Sequence, residues 1–145
     1  MPYRIDWEPS LAIVSVYGKS HANEAVRATT QWQADERFSG LRHVIYDLSG
    51  AQNIEPLDSS STLEIAVNSI GANCTNPRIQ IGVIQPVNAL SPAMQSSVSG
   101  IVALTGGIYP IHLFHDRELA YRWTKGESVG IQADATAIST VFVNR

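Results

Sequence analysis

The sequence lacks several features that would assign the protein to a functional class at once. It has 145 residues, with 10 Lys and Arg against 13 Asp and Glu, and contains no run of basic residues. Proteins that bind nucleic acid usually carry a basic patch that neutralises phosphates, so we expect no nucleic-acid partner. The single cysteine, Cys74, leaves no second thiol for an intrachain disulfide, as is common in a reducing compartment.

Long apolar runs are also absent. The first ten residues, MPYRIDWEPS, contain no apolar core of a signal peptide, and no run approaches the roughly 18 residues of a membrane span. We therefore expect a cytoplasmic protein without stable membrane insertion. The length is sufficient for one domain with a full-sized core.

The apolar pattern predicts an α/β fold in the order ββαβαβαβα. Alternation over Tyr3–Trp7 is typical of a half-buried strand, and Leu11–Tyr17 is its expected hairpin partner. Strands that alternate with helices imply right-handed crossovers and a mainly parallel sheet, here of about five strands with four helices. The other predicted strands are His43–Leu48, Ile79–Ile84 and Pro110–Phe114, and the predicted helices are Ala22–Ala34, a segment containing Leu63, Ala66, Val67 and Ile70 that Gly71 closes, Ser91–Leu104, and Asp116–Trp123.

We expect this domain to span residues 1–126. Residues 127–145 then form a C-terminal extension, in which Ile138–Val143 is the one strand-like segment.

Several short motifs resemble the STAS superfamily, and more closely its SpoIIAA-like branch, also described as STAS/SEC14-like. They are Tyr3-x-Ile5, Gly18 after the second strand, Asp47-Leu48-Ser49, Leu57-Asp58-Ser59-Ser60, and Phe114-His115-Asp116 followed by Ala120-Tyr121-Arg122-Trp123. The resemblance covers roughly residues 1 to 125. It implies a sheet with helices mostly on one face and a non-enzymatic regulatory or protein-interaction function, with a regulatory protein as partner.

The resemblance also implies a phosphorylation site. In regulatory STAS proteins a kinase phosphorylates the serine of an Asp-Ser-Ser/Thr-Gly motif at a helix start, and partner binding is then lost. Asp58 and Ser59 match this motif, Ser60 is the implied acceptor, and Ser59 is its neighbour.

Helix capping is the alternative explanation for the same serines. Ser61 and Glu64 have the spacing of a capping box, in which each side chain would bind the backbone amide of the other residue. Asp58 would be stabilised there by the helix dipole. The sequence leaves both explanations open.

Polar residues follow the predicted parallel strands, where such sheets bind ligands. Together with Asp58 they form a candidate ligand or partner surface: Lys19, Asp47, Ser49, Gln85 and His115. They contain no evident nucleophile with a base and an orienting group, so we expect no catalytic residue and no cofactor. His112 and His115 are three apart across a strand end, which points them to opposite faces, so we also expect no metal site.

The stretch from Ile79 to His115 contains no charged residue in 37 positions, where the average composition would give about 6. Its helix has small polar residues where an exposed helix normally has charges. We therefore predict a homodimer or partner interface on this helix, through Met94, Ser97, Val98 and Ile101, although the chain's own tail is another candidate cover.

An alternative function is that of a small-molecule or lipid carrier, with an apolar ligand between helices and sheet and a wall formed by Met94, Val98, Ile101, Val102 and Leu104.

Overall fold

The structure is a computed structural model, and it describes residues 3–20, 22–54, 56–86, 92–126 and 133–134. Within these ranges the chain forms a six-stranded sheet with strands in sequential order. Strand β1 pairs antiparallel with β2, strands β2 to β5 are parallel, and β6 pairs antiparallel with β5. The strands are β1 (Tyr3–Glu8), β2 (Leu11–Ser20), β3 (His43–Ile54), β4 (Gln80–Ile84), β5 (Ile111–Phe114) and β6 (Ala133–Asp134).

Four α-helices and one short 3-10 helix connect these strands in the described ranges. They are α1 (Ala22–Ala34), the 3-10 helix Glu36–Gly40, α2 (Ser59–Thr75), α3 (Pro92–Thr105) and α4 (Arg117–Thr124). The predicted fold class is confirmed, with an N-terminal hairpin followed by alternating helices and parallel strands. The predicted tail strand Ile138–Val143 lies outside the described residues; β6 is the part of the extension that the structure describes.

Helices α1, α2 and α3 cover one face of the sheet, and α4 covers the other. On the first face, Trp32 of α1 packs with Val14 and Val44, and Val102 of α3 packs with Leu48. Alternate residues of the same strands point the other way, where they pack around α4. That second core contains Ile13, Ile45, Ile84, Phe114 and Ala120. Period-two alternation along the strands thus supplies both cores.

Two predicted element ends differ from the structure by four residues or more, and β2 also continues past its predicted end at Tyr17 to Ser20. Strand β3 continues to Ile54, six residues beyond the predicted end at Leu48, because its last residues pair with the end of β2. Helix α2 continues through Gly71 to Thr75. Gly71 is exposed, and a glycine weakens a helix interior by only about 1 kcal/mol, which is too little to end a helix that packs elsewhere.

Helix α2 buries a side other than its most apolar one. Its buried residues are Ile65, Ala66 and Ser69. Leu63, Val67 and Ile70 are 53%, 56% and 45% exposed, although an apolar stripe at this spacing usually faces the core. An apolar face of α2 is therefore left on the surface.

Asn76, the C-cap of α2, is a buried junction of four chain segments. Its backbone N–H donates to Ala72 O, and its side-chain Nδ2 donates to Phe38 O at 2.8 Å and to Leu41 O at 2.9 Å. Its Oδ1 accepts from the Arg78 amide, and its backbone oxygen accepts from the Tyr109 hydroxyl at 2.7 Å. One amide side chain thus fixes the end of α2 against the 3-10 segment and the start of β4.

Close approach of an aromatic ring fixes α4 on the second face. A Cβ at Gly82 would lie 2.9 Å from Cζ3 of Trp123 and 3.2 Å from Cε2 of Phe114, so Trp123 packs directly on the β4 backbone. His43 and His112 flank this ring, with ring centroids 4.9 Å and 5.2 Å from it. Trp123 therefore contacts two imidazole rings as well as the β4 backbone.

We expect Asn76→Ala to destabilise the protein by about 1–3 kcal/mol, because three hydrogen bonds of this side chain are lost at once, although the carbonyls of Phe38 and Leu41 each keep a second donor. Urea unfolding followed by tryptophan fluorescence measures this loss. The control is Asn73→Ala, a half-buried position in the last turn of the same helix. Equal losses for the two variants would contradict the junction role of Asn76.

We also expect stability to fall as the pH falls below about 6.5. Burial, and secondarily the neighbouring His112, lower the pKa of His43 from its usual 6.5. The unfolded chain therefore takes up a proton at a higher pH than the folded chain does, so the contribution of neutral His43 is fully present above pH 6.5 and is lost below it. The urea midpoint of the wild type should drop from pH 7 to pH 5 more than that of His43→Gln. Parallel pH profiles for the two proteins would show that His43 is not the group involved.

Candidate functional site

The N-terminal turn of α2 is capped by Asp58. Its backbone is extended, and its Oδ1 accepts a hydrogen bond from the Ser61 amide at 2.6 Å. The backbone oxygen of Asp58 accepts from both the amide and the hydroxyl of Thr62, each at 2.9 Å. The hydrogen bonds from Ser61 hold the pKa of Asp58 below its usual value.

This cap corrects the predicted capping box. Ser61 does not precede the helix but lies in its first turn, where its amide is a donor to Asp58. Glu64 is exposed one turn further on. Capping does occur in this segment, but Asp58 is the residue responsible; the Ser61 amide is its main donor, and the backbone of Ser60 makes a smaller contribution.

The two serines of the predicted phosphorylation site are accessible. Ser59 and Ser60 are exposed in the first turn of α2, whereas Ser61 is half-buried. A helix N-terminus accommodates negative charge because its free amides and its dipole favour anions. The first turn can therefore accept a phosphate without loss of the helix.

A surface groove of about 400 Å³ lies beside this turn, between α2 and α3. The backbone amide of Leu57 donates to Ser97 Oγ at 3.1 Å, which ties the segment before α2 to α3. A Cβ at Gly100 would lie 3.5 Å from the Thr62 methyl group, so the two helices approach closely at that point. The groove is lined by Leu57, Ser59 and Thr62 on one side and by Ser96, Gly100 and Leu104 on the other.

Three of the predicted polar residues lie at one edge of the sheet. Asp47 is level with Ile84 of β4, and Ile84 is level with Phe114 of β5. Gln85 and His115 follow those two residues, so they are level with each other just beyond Asp47. Gln85 is buried, and its backbone N–H donates to the backbone oxygen of Phe114. His115 is exposed.

The carboxylate of Asp47 is engaged in structural contacts. It is buried, and its Oδ1 accepts from the amide of Ser49 at 3.0 Å and from the hydroxyl of Ser49 at 2.6 Å. Its Oδ2 forms an ion pair at 2.9 Å with Nε of Arg117, at the start of α4. No local sequence pattern indicated Arg117, which lies 70 positions away and becomes a neighbour of Asp47 only through the fold.

Lys19 is separate from this edge. It pairs in register with Asn53, six residues beyond Asp47 along β3, which corresponds to about 20 Å. The predicted polar surface is therefore not one site. The exposed serines and the groove at the start of α2 form a different surface from the row at Asp47.

The predicted interface on α3 is mostly turned inward. Ser97 is 8% exposed and accepts the hydrogen bond from Leu57, so it is not available to another chain. Val98 packs against the core cluster that contains Val102, and Ile101 is half-buried. The side chain of Met94 lies outside what the structure describes. Packing onto the sheet thus accounts for part of the missing charge in α3.

Neither a cluster of metal ligands nor a membrane-spanning helix occurs among the described residues. No three His, Cys, Asp or Glu side chains in those ranges group together as metal ligands. None of the helices that the structure describes is both long enough and apolar enough to cross a membrane.

The sheet order and the placement of the helices define a fold of the STAS type, as the sequence motifs predicted. The chain is similar to the anti-sigma factor antagonist SpoIIAA in its unphosphorylated form, with a TM-score of 0.52 and 9% identity over 86% of this chain and 99% of that one. It is also similar to the Bacillus cell fate determinant SpoIIAA in the phosphorylated form, with a TM-score of 0.51 and 10% identity over 83% of this chain and 98% of that one. At these identities the likeness shows a shared fold. No family model and no curated protein matches the sequence.

We expect Asp58→Ala to loosen the first turn of α2, because the Ser61 amide loses its acceptor. Asp58→Asn keeps a side-chain oxygen and should retain most of the cap. Amide hydrogen exchange at Ser61 is the direct readout, and it should accelerate in the alanine variant alone. Since the pKa of Asp58 is lowered, the charged cap stabilises the fold above the usual carboxyl pKa and is lost as the pH falls. Unchanged exchange in Asp58→Ala would contradict this cap assignment.

Proposed function

We propose that the protein is a non-enzymatic regulatory domain that binds a regulatory protein at the start of α2, and that phosphorylation of Ser60 switches this contact. The observation that carries the proposal is the exposure of Ser59 and Ser60 beside the groove, in a turn whose cap is formed by Asp58. Support also comes from the shared fold with SpoIIAA, an anti-sigma factor antagonist whose structure is known in unphosphorylated and phosphorylated forms.

Ser60 is the preferred acceptor on geometric grounds. Ser61 is half-buried, and its amide is engaged with Asp58. Ser59 lines the groove, so a kinase has less room around it than around Ser60. Ser60 lies one turn before exposed Leu63 and is accessible from the open side of α2.

A phosphate at Ser60 would change the surface more than the fold. It adds roughly −1.5 to −2 charge at neutral pH. The helix N-terminus stabilises that charge, so α2 should stay folded. The groove beside it is lined by hydroxyl and apolar groups without a charged side chain among its lining residues. A partner that inserts an uncharged side chain there would lose affinity when a phosphate appears at the rim.

The carrier alternative receives less support from the packing. Its expected wall on α3 includes Val98 and Val102, which pack against Leu48, Val83 and Leu113 of the sheet. These side chains fill the space between helix and sheet in which an apolar ligand would lie.

A photo-crosslinking experiment tests the proposal in cells that naturally produce the protein. A photoreactive residue replaces exposed Ser96, on the α3 side of the groove, in chains that carry Ser60, Ser60→Ala or Ser60→Asp. We expect a discrete adduct with another protein for the first two chains and at least about a tenfold reduction for Ser60→Asp, equivalent to about 1.4 kcal/mol. The matched control places the photoreactive residue at exposed Glu118 on α4, and we expect no adduct there.

Two results would overturn the proposal. One is an adduct whose yield is the same with Ser60→Asp, provided that circular dichroism shows an intact fold. The other is the absence of a Ser96 adduct in every chain.

A further inference from the structure

The exposed face of α2 has the residue spacing of a coiled-coil seam. Five exposed residues of α2 follow one another at alternating intervals of three and four positions: Ser60, Leu63, Val67, Ile70 and Cys74. Such a 3-4 repeat lines up along one side of a helix and packs into the corresponding side of another helix. We call these five residues the α2 seam.

The seam is not needed by the chain's own core. Ile65, Ala66 and Ser69, on the other side of the helix, are its buried residues. Ala72 packs against the main core cluster in the same direction. Three large apolar side chains that are about half exposed and stand in one line are more than scattered surface residues, and such patches mark interaction sites.

We propose that the α2 seam docks against the α2 seam of a second copy of this chain, with the two helices antiparallel about a two-fold axis near Val67. This proposal goes beyond the regulatory function and does not depend on a phosphate or on a regulatory protein.

Charge favours a second copy in this orientation. Asp58 caps the start of α2, and Arg78, which is exposed, follows its end. In an antiparallel pair centred on Val67, Asp58 of one copy is level with residue 76 of the other, two positions before Arg78, so an acidic end lies near a basic end at both ends of the pair. A parallel pair would place like charges and like ends of the helix dipoles side by side.

The surface between these ends has little charge of its own. Glu64 is the only charged residue of α2, and α3, which lies beside it, has none. Most of the chain's charged residues therefore lie elsewhere, and two copies meet with little repulsion on this face.

The size of the contact predicts a weak dimer. The 17 residues of α2 are about 26 Å long, and a strip about 15 Å wide along them covers roughly 400 Å² per copy. Two copies would bury roughly 800 Å², which is below the 1,200 Å² at the lower end of standard interfaces. We expect association that depends on concentration, at protein concentrations of tens to hundreds of micromolar.

Cysteine crosslinking distinguishes the antiparallel pair from other contacts. Cys74 is the only cysteine of the chain, and in the antiparallel pair two Cys74 residues are about 21 Å apart, too far for a disulfide. Ser60→Cys adds a thiol that is level with Cys74 of the second copy. Under mild oxidation we expect a covalent dimer for Ser60→Cys and none for the wild type or for Ser60→Cys with Cys74→Ser.

Sedimentation equilibrium of the purified chain provides the second readout. Val67→Glu places a charge at the centre of the seam on an exposed site, so it should yield a folded monomer where the wild type self-associates. Gln80→Glu, which adds the same charge at an exposed position of β4, is the control and should associate like the wild type.

Three results would overturn the proposal. They are a wild-type mass that stays monomeric up to 500 μM, a Val67→Glu variant that associates like the wild type, and crosslinking of the wild type as efficient as that of Ser60→Cys. Because these measurements use the purified chain alone, their failure leaves the Ser60 switch untouched, and failure of the photo-crosslinking leaves the dimer untouched.

Discussion

The buried side chain of Asn76 is the constraint on which the arrangement of α2 depends. An amide at 3% exposure must have partners for its donors and its acceptor, and Asn76 finds them in the 3-10 segment and in the turn that leads to β4. The hydroxyl of Tyr109 adds the segment before β5 to the same junction. These contacts are satisfied together only when the end of α2 lies in one position over the sheet.

The start of α2 is fixed by a second, smaller set of contacts. The Leu57 amide binds Ser97 of α3, and Asp58 caps the helix directly afterwards. With both ends held, the helix cannot rotate about its axis, and Ile65, Ala66 and Ser69 are the residues that meet the sheet side. The seam of Leu63, Val67 and Ile70 and the serines of the first turn are left on the outside as a consequence. The contacts that hold the two ends of α2 thus also determine which of its side chains are exposed.

The opposite face of the sheet is packed by a different set of contacts. Only α4 covers it among the described helices, and the missing side chain of Gly82 lets Trp123 pack against the β4 backbone. The ion pair between Arg117 and Asp47 anchors the start of α4 to the edge where β4 and β5 end. The polar row at this edge is therefore explained by the docking of α4, while the groove and the seam lie on the face of the sheet covered by α2 and α3. The sheet therefore separates two surfaces of different chemistry.

Periodicity in the sequence was sufficient for the order of the elements. Alternation in Tyr3–Trp7, the β-branched run at His43 and the Asp116 cap each depend on residues within a few positions, and the structure has a strand or helix at each place. The same local rules also indicated that a serine and aspartate cluster before an apolar helix would contain a cap. Local signals of this kind act over one or two turns of chain, so they are readable without the fold.

What only the tertiary structure decided is which of several equivalent local choices is used. Asp58 and Ser61 are both good N-caps, and in the folded chain Asp58 is the one used, directly after the hydrogen bond between Leu57 and Ser97. Two faces of α2 have helical spacing, and the contacts of Asn76, distant in sequence from Phe38 and Tyr109, selected the less apolar one for burial. Asp47 and Arg117 became partners through the sheet in the same way. The sequence by itself determined the elements and their order, because those depend on neighbours along the chain. The exposed seam and the accessible serines depend on contacts between residues far apart in sequence, and the packing of the folded chain decided them.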